Sequence, residues 1–501
     1  MKFIRYVALS CCLVAIFAVA QQGTFQHIVI VVQENRTPDN LFASNPTFEA
    51  GVNLQSAPDG QAQPLAACFN PDHLHPAWED QYTKGSCSSG VEGKSCTTIA
   101  CPQDTYVNAG DVNPYFQIAQ DYGFANYFFQ TNQGPSFPAH QFLFSGTSAP
   151  EPYNPSDPKA YYKWFASEIT ADTNDAGCAA SPDQKILDID LLGNESFAFD
   201  PPGDPSAEVG YPCYEHATLT DLLDQAAPPI HWRYYGWKLA GSIWNAPNAI
   251  SHICGSTGFG GSCNGTHWQN GDITTTQGQV LTDIQNCGLK AVSWVIPDGN
   301  WSDHPGQNSS NLGPIWVSSI VNAIGNSWSS SNHLCDYWGT HTTTDRTAIL
   351  ILWDDWGGWY DHVQPLSIGY LGGGGNGQQY VYGFRVPLLV VSAFTPAGYV
   401  SGPVSPGPLP TACPMQNTPY PYCHDFGSVL KFIENNFGLG SIGSSNYPYA
   451  DQFAPDSPSS LADFFTLQTP RSFQQIILPP GSPDFSYFIQ YAGQVEPDDE
   501  D

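Results

Sequence analysis

Apolar residues fall into two patterns along this chain. Unbroken apolar runs at residues 27–32, 291–296, 347–353 and 387–392 show no alternation with polar positions, as in strands buried on both faces. Residues 218–226, 315–324 and 428–437 instead repeat apolar positions at helical spacing, and Gly438 stops the last of these stretches. Alternation of the two kinds predicts an α/β layered architecture with a mainly parallel sheet. Between them, residues 51–110, 148–212 and 236–278 are rich in Gly, Pro, Ser, Asn and Cys and carry little periodicity. They read as long disulfide-tied insertions on one domain spanning residues 21–495. The acidic end at 496–501 reads as a solvated tail.

The first residues change the picture of compartment. Lys2 and Arg5 precede an apolar run at 6–19 and the small-residue sequence Ala18-Val19-Ala20, the pattern of a cleaved secretory leader over residues 1–20. The run is shorter than the ~20 residues a membrane span needs, and no later stretch is longer and equally apolar. The mature chain is therefore expected to be secreted or periplasmic, with no integral membrane segment. Fourteen cysteines less Cys11 and Cys12 leave twelve, an even number that suits a disulfide framework. Cys254 with Cys263 and Cys413 with Cys423 are the short-range candidates. Cys87, Cys96 and Cys101 lie too close together to assign. Absence of any Cys-x-x-Cys pair disfavours structural zinc.

Fifteen basic residues against 46 acidic ones, a net charge of −31, make a nucleic-acid partner a poor fit, because the surface repels phosphate backbones. Charged residues make up only 12%, while 41% are hydrophobic, so a large packed core is within reach and whole-chain disorder is excluded.

Chemistry concentrates where the strands end. The first run leads into Gln33-Glu34-Asn35-Arg36, the second into Pro297-Asp298 and then Asp303-His304-Pro305, the third into Asp354-Asp355-Trp356-Gly357-Gly358 and then Asp361-His362. In open α/β sheets the ligand crevice lies at the carboxyl ends of the strands. Adjacent carboxylates repel by about 4 kcal/mol at 4 Å and an effective ε near 20, and a cation relieves that. Taken alone, Asp354 and Asp355 would simply cap the following turn; together with Glu34 and Asn35 they form a hard oxygen set suited to a divalent metal of unspecified identity. Gly134-Pro135-Ser136-Phe137-Pro138 is a stiff turn ahead of an apolar stretch, so Ser136 is either a helix cap or a nucleophile at an anion-binding helix start. His140, four residues on, would share its face on a helix and reads equally well as a neighbour of the site or as a packing or orienting residue.

Gln33-Glu34-Asn35-Arg36-Thr37-Pro38-Asp39-Asn40-Leu41-Phe42, Gly134-Pro135-Ser136-Phe137-Pro138, Ser302-Asp303-His304-Pro305, the run from Trp353 through Asp361-His362-Val363, and Gly383-Phe384-Arg385-Val386-Pro387 resemble the ordered motifs of the bacterial phosphoesterase family. That family contains non-haemolytic phospholipases C and secreted acid phosphatases. The resemblance implies a three-layer α/β/α sandwich of alkaline-phosphatase-like fold and a metal-dependent phosphoester hydrolase acting through a phosphoserine. It puts Glu34, Asn35, Asp354 and Asp355 in the metal-ligand positions, Ser136 at the nucleophile that also touches the metal, and His304 near the transferred phosphoryl group. His73, Asp303 and His362 are expected on the substrate side, His362 with the further options of a second metal centre or of support for the first.

The phospholipase branch commonly has Thr at the nucleophile and Asp-Glu after the third strand. Ser136 and Asp354-Asp355 resemble the acid-phosphatase branch instead, so the expected substrate is a small phosphate ester, with a phospholipid head group as the alternative. A secreted binding protein that lost catalysis is the competing class; the joint presence of nucleophile and all four ligand residues argues against it. A sulfatase is disfavoured because no Cys-x-Pro-x-Arg sequence occurs. Asn35, Asn194, Asn264, Asn300 and Asn308 begin N-x-S/T sequons, and Asn35 must stay bare if it binds metal.

Overall fold

The run HIVIVVQ forms the strand His27–Gln33, buried from Ile28 onward, and it lies at the middle of the molecule. A computed structural model describes residues 23–88, 90–92, 99–149, 165–169, 176–182, 184, 186–189, 195–196, 211–237, 242–306, 310–328, 335–342, 345–368, 380–402, 423–443, 449–454 and 460–495. The expected leader at 1–20 and the acidic tail at 496–501 lie outside these residues.

The central sheet has eight strands: β1 (His27–Gln33), β2 (Gly123–Ala125), β3 (Trp232–Tyr235), β4 (Ile273–Thr274), β5 (Val292–Val295), β6 (Thr347–Trp353), β7 (Leu388–Ser392) and β8 (Tyr399–Ser401), in the spatial order β4-β3-β5-β1-β6-β7-β2-β8. β1 runs parallel to both neighbours, β5 and β6, with Val31 opposite Val295 and Ile351. The polar sequences that follow these three strands therefore emerge side by side at one edge.

All four apolar runs become strands of this sheet, but β7 runs antiparallel to β6 and to β2. An apolar run carries no sign of its direction, so the sequence pattern does not distinguish it. The reversal explains why β7 has its motif in front rather than behind. A strand running backwards brings its start to the edge where its neighbours bring their ends, and residues 383–386 pair there with the segment before Ser136, Gly383 N donating to Gln130 O at 2.9 Å.

Helices cover both faces of the sheet, giving the three-layer α/β/α sandwich. They are α1 (Pro38–Phe42), α2 (His75–Lys84), α3 (Asn113–Asp121), α4 (Ser136–Ser145), α5 (Leu219–Gln225), α6 (Gln279–Gln285), α7 (Gly313–Gly325), α8 (Phe426–Phe437) and α9 (Phe485–Tyr491). α4 packs against α8 and α5, whereas α7 packs against α3, α6 and α9. Phe144 of α4 lies edge-on to Trp294 of β5 at 5.4 Å, and Trp294 Nε1 donates to Leu143 O, which fixes α4 over the sheet. The caps match the sequence pattern: Thr218 with Asp221 and Asp425 with Ser428 form capping boxes, and Gly438 ends α8 in the left-handed conformation. No helix among the described residues is long and apolar enough to cross a membrane.

The insertions hold more regular structure than their composition suggests. Within 148–212, Phe165–Ile169, Ile186–Ile189 and Glu195–Ser196 form an antiparallel sheet; 51–110 contains α2; 236–278 supplies edge strand β4. Strands of two to five residues are too short to leave a periodic signal. Disulfides join Cys87 to Cys101, Cys178 to Cys213, Cys254 to Cys263 and Cys287 to Cys335, and Cys68 and Cys423 are disulfide-bonded as well. The 254–263 pairing matches the expectation, and 87–101 resolves an open one; Cys96 and Cys413 lie outside the described residues.

Two histidines clamp the third insertion onto α5. His252 sits between Glu215 (2.8 Å) and Asp221 (3.2 Å), and His267 between Asp224 and Asp272 (3.1 Å each). An imidazole facing a carboxylate at both nitrogens must carry both protons to satisfy them. Hydrogen bonds to Asp224 and Asp272 raise the pKa of His267 to about 9, and the bond to Asp221 raises that of His252. A raised folded-state pKa gives stability that is complete below the unfolded value near 6.5 and is lost as pH climbs through the folded one. The thermal midpoint is expected to fall between about pH 6.5 and pH 9, and to fall less in His252→Gln/His267→Gln. Parallel pH profiles for parent and double variant would remove the clamp from the account.

Candidate active site

β1, β6 and the loop before α4 converge on one buried cluster. Ser136 is the first residue of α4 and not its cap, because Pro135 holds the cap position in extended backbone. Its hydroxyl turns away from the helix, with Oγ 2.9 Å from Asp355 Oδ2, 3.3 Å from Asn35 Oδ1 and 3.4 Å from Glu34 Oε2. One turn later His140 brings Nε2 to 3.3 Å from Glu34 Oε1 and 3.6 Å from Asp354 Oδ2. Ser136, Glu34, Asn35, Asp354 and Asp355 all have no solvent exposure.

The backbone is shaped to allow this. Asn35 takes φ of 56°, a left-handed conformation that Asn tolerates better than most residues, and its N–H donates to Asp354 Oδ1 at 3.1 Å. Gly357 packs so closely that a Cβ there would lie 2.5 Å from Asn35 O, and one on Gly358 would lie 2.5 Å from Asp72 O. The two oxygens of the Asp355 carboxylate face different partners. Oδ1 accepts from Gly357 N at 2.6 Å and so caps the turn, while Oδ2 faces Ser136.

Three carboxylates in a dry cluster need positive charge. Burial, then the neighbouring charge of Asp354, pushes Asp355 well above the carboxylate range, and burial pushes His140 down to about 4. Asp354 Oδ2 is buried and accepts no hydrogen bond among the described residues. A group of acceptor atoms with an unused oxygen and no Lys or Arg among them is the chemistry of a cation site.

His73 and His304 flank the cluster, their rings 6.1 Å apart. The Asn35 amide donates to His73 Nε2 at 3.0 Å, while His73 Nδ1–H donates to Pro71 O at 2.9 Å; this fixes the amide with its oxygen toward Ser136. His304 Nδ1–H donates to Pro305 O at 2.6 Å, which leaves the ring lone pair on Nε2. Burial and the nearby His73 lower its pKa to about 3.

A family model described as the phosphoesterase family matches residues 25–440. The chain belongs to that family. The chain is 25% identical over 477 residues to a non-hemolytic phospholipase C of Burkholderia pseudomallei, covering 82% of this chain and 55% of the relative. It is 22% identical to a hemolytic phospholipase C of Pseudomonas aeruginosa (83% and 53%) and 22% identical to phospholipase C A of Mycobacterium tuberculosis (83% and 73%). The chain thus spans about half the length of the first two relatives.

Two residues that the sequence resemblance leads us to expect on a substrate side lie outside the cluster. The Asp303 carboxylate accepts from Tyr115 Oη at 2.8 Å and Trp353 Nε1 at 3.0 Å. Its carbonyl receives Arg36 Nε at 2.9 Å and Nη2 at 2.7 Å, so this residue anchors the His304 loop to β1. His362 binds Asp39 Oδ2 at 2.5 Å through Nδ1 and Asn53 through Nε2. Conversely, sequence reasoning assigns no role to Arg36, which spans Asp303, Asn40 and Leu65 and lies over Trp359 at 4.8 Å. An arginine beside two ligand positions was the available signal.

Proposed function

We propose that this phosphoesterase is a secreted, metal-dependent hydrolase of small phosphate esters that acts through a phosphoserine on Ser136. The reading rests foremost on Ser136 Oγ lying 2.9–3.4 Å from Asp355, Asn35 and Glu34 at the start of α4. Glu34, Asn35, Asp354 and Asp355, with Ser136, would hold a divalent cation. Such a cation supplies positive charge to the phosphoryl oxygens and acidifies the hydroxyl.

The residues then divide the work. Ser136 Oγ forms the new O–P bond as the ester O–P bond breaks, and its proton passes to a neighbouring carboxylate. The first N–H groups of α4 and its positive dipole end favour the anion. The departing alkoxide takes up the proton that Ser136 passed to the carboxylate, and His304, with Nδ1 committed to Pro305, offers its Nε2 lone pair as the base for the water that then attacks the phosphoserine. His73 keeps the Asn35 amide oriented. Water attack on the phosphoserine releases phosphate and restores the hydroxyl.

Ser136 and the Asp354-Asp355 pair support a monoester substrate. The relatives' names favour a second reading, phospholipase C. Purified protein supplied with divalent cations and assayed on p-nitrophenyl phosphate and on p-nitrophenylphosphocholine from pH 4 to 9 separates the two. Hydrolysis of only the former is expected; preference for the phosphocholine ester would replace the monoester reading, and inactivity on both would sink the hydrolase.

A further inference from the structure

One member of the cluster has no task in the reaction just described. We propose that His140 Nε2 is itself a ligand of the cation, shared with Glu34 and Asp354, and that the site therefore prefers a first-row transition metal over magnesium or calcium. The assignment rests on the metal-dependent reading above and adds to it a residue and a metal class.

Three observations carry it. His140 Nε2, a Glu34 carboxylate oxygen and an Asp354 carboxylate oxygen all lie within 4.8 Å of one another, and all three residues are buried. The separations of 3.3 Å from His140 to Glu34 and 3.6 Å to Asp354 exceed the usual N–H···O range of about 2.7–3.2 Å. Ligands about 2.0–2.1 Å from a metal stand about 3.0–3.4 Å apart, so the Glu34 separation already suits neighbours on one ion and the Asp354 separation lies about 0.2 Å beyond that range. Finally, Asp354 Oδ2, the oxygen nearer His140, accepts no hydrogen bond among the described residues, although Oδ1 of the same carboxylate is used by Asn35 N. A buried carboxylate oxygen left in that state beside an imidazole nitrogen marks where a cation belongs.

Ligand chemistry then selects the metal. Magnesium and calcium are held by oxygen and seldom by imidazole, whereas zinc, cobalt, iron and copper take nitrogen readily. Ser136 and His140 share one face of a single helix, so the nucleophile and the nitrogen ligand keep their spacing as a rigid unit. Four of the ligand candidates are legible as strand-end oxygens, which suggests an all-oxygen pocket; the nitrogen arrives from a helix.

The test measures metal binding. Chelator-treated parent and His140→Gln are titrated with Co²⁺ and with Mg²⁺, following visible absorption and heat. The parent is expected to bind Co²⁺ far more tightly than Mg²⁺, with ligand-field bands in the visible. H140Q should lose Co²⁺ affinity by about 100-fold or more, shift those bands, and keep its Mg²⁺ affinity. Unchanged Co²⁺ affinity and spectrum in H140Q would overturn the role of His140 alone and leave the metal-dependent reading standing. A parent that takes up no divalent cation overturns both. Pulsed EPR of the Cu²⁺-loaded parent needs no variant; coupling to a remote imidazole nitrogen is expected, and its absence counts against the assignment.

Discussion

Ser136→Ala is expected to lower phosphate-ester hydrolysis by at least about 10⁴-fold while leaving the thermal midpoint and the bound metal nearly unchanged. The loss follows from position. Oγ is the only hydroxyl that meets Asp355, Asn35 and Glu34 together among the described residues, at 2.9, 3.3 and 3.4 Å. Retention of the fold follows from the helix start. Pro135 occupies the cap position, so removing the Ser136 hydroxyl forfeits no cap, and alanine is a good residue at a first helical position. Ser136→Thr, which keeps a hydroxyl, should retain measurable turnover. Full activity in the alanine variant would take Ser136 out of the mechanism, and loss of fold in both variants would make its role structural.

The site is legible in the sequence to the extent that it is built from strand ends. Glu34-Asn35 and Asp354-Asp355 stand out because fully apolar runs stop at them, and β1 and β6 are parallel neighbours that deliver both pairs to one place. Loop residues are less readable. Asp303 adjoins His304, yet its carboxylate is turned to Tyr115 and Trp353, because consecutive side chains in an extended loop point apart. Asp361 and His362 follow the aspartate pair closely, but the positive-φ glycines Gly357 and Gly358 redirect the chain and carry both residues to Arg385. The antiparallel course of β7 left no mark in its composition, although the motif ahead of it was visible. His140 was visible as a neighbour of Ser136 on a helix face, but a lone helical histidine more often packs than ligates. Its carboxylate partners come from two other elements that only the folded chain brings near.

Arg385→Met is expected to be the most damaging substitution for stability, costing about 3–5 kcal/mol at neutral pH. Arg385 is fully buried, and its guanidinium reaches Asp361 Oδ1 at 2.5 Å, Asp39 Oδ1 at 3.4 Å, and the carbonyls of Asn53 and Asn126 at 3.0 and 2.8 Å. Asp39, Asp361 and His362 have the composition of a second metal centre, but the guanidinium already supplies the positive charge there, so the group acts as a clasp between α1, the loop after β6 and the start of β7. Methionine fills similar volume and leaves two buried carboxylates with only His362 for compensation. Burial already raises the pKa of Asp361 with the arginine present, whereas Asp39, against the upward push of burial, is held below its ordinary value by His362 and Arg385; without the arginine both folded-state values rise. A raised carboxylate pKa means the folded state binds more protons than the unfolded, so stability recovers as pH falls. Urea unfolding should therefore show a deficit that narrows from pH 7 toward pH 4, and Arg385→Met/Asp361→Leu should regain part of it by removing one uncompensated charge. A deficit below about 1 kcal/mol, or one that does not vary with pH, would show that the arginine fills space and does not balance the buried acids.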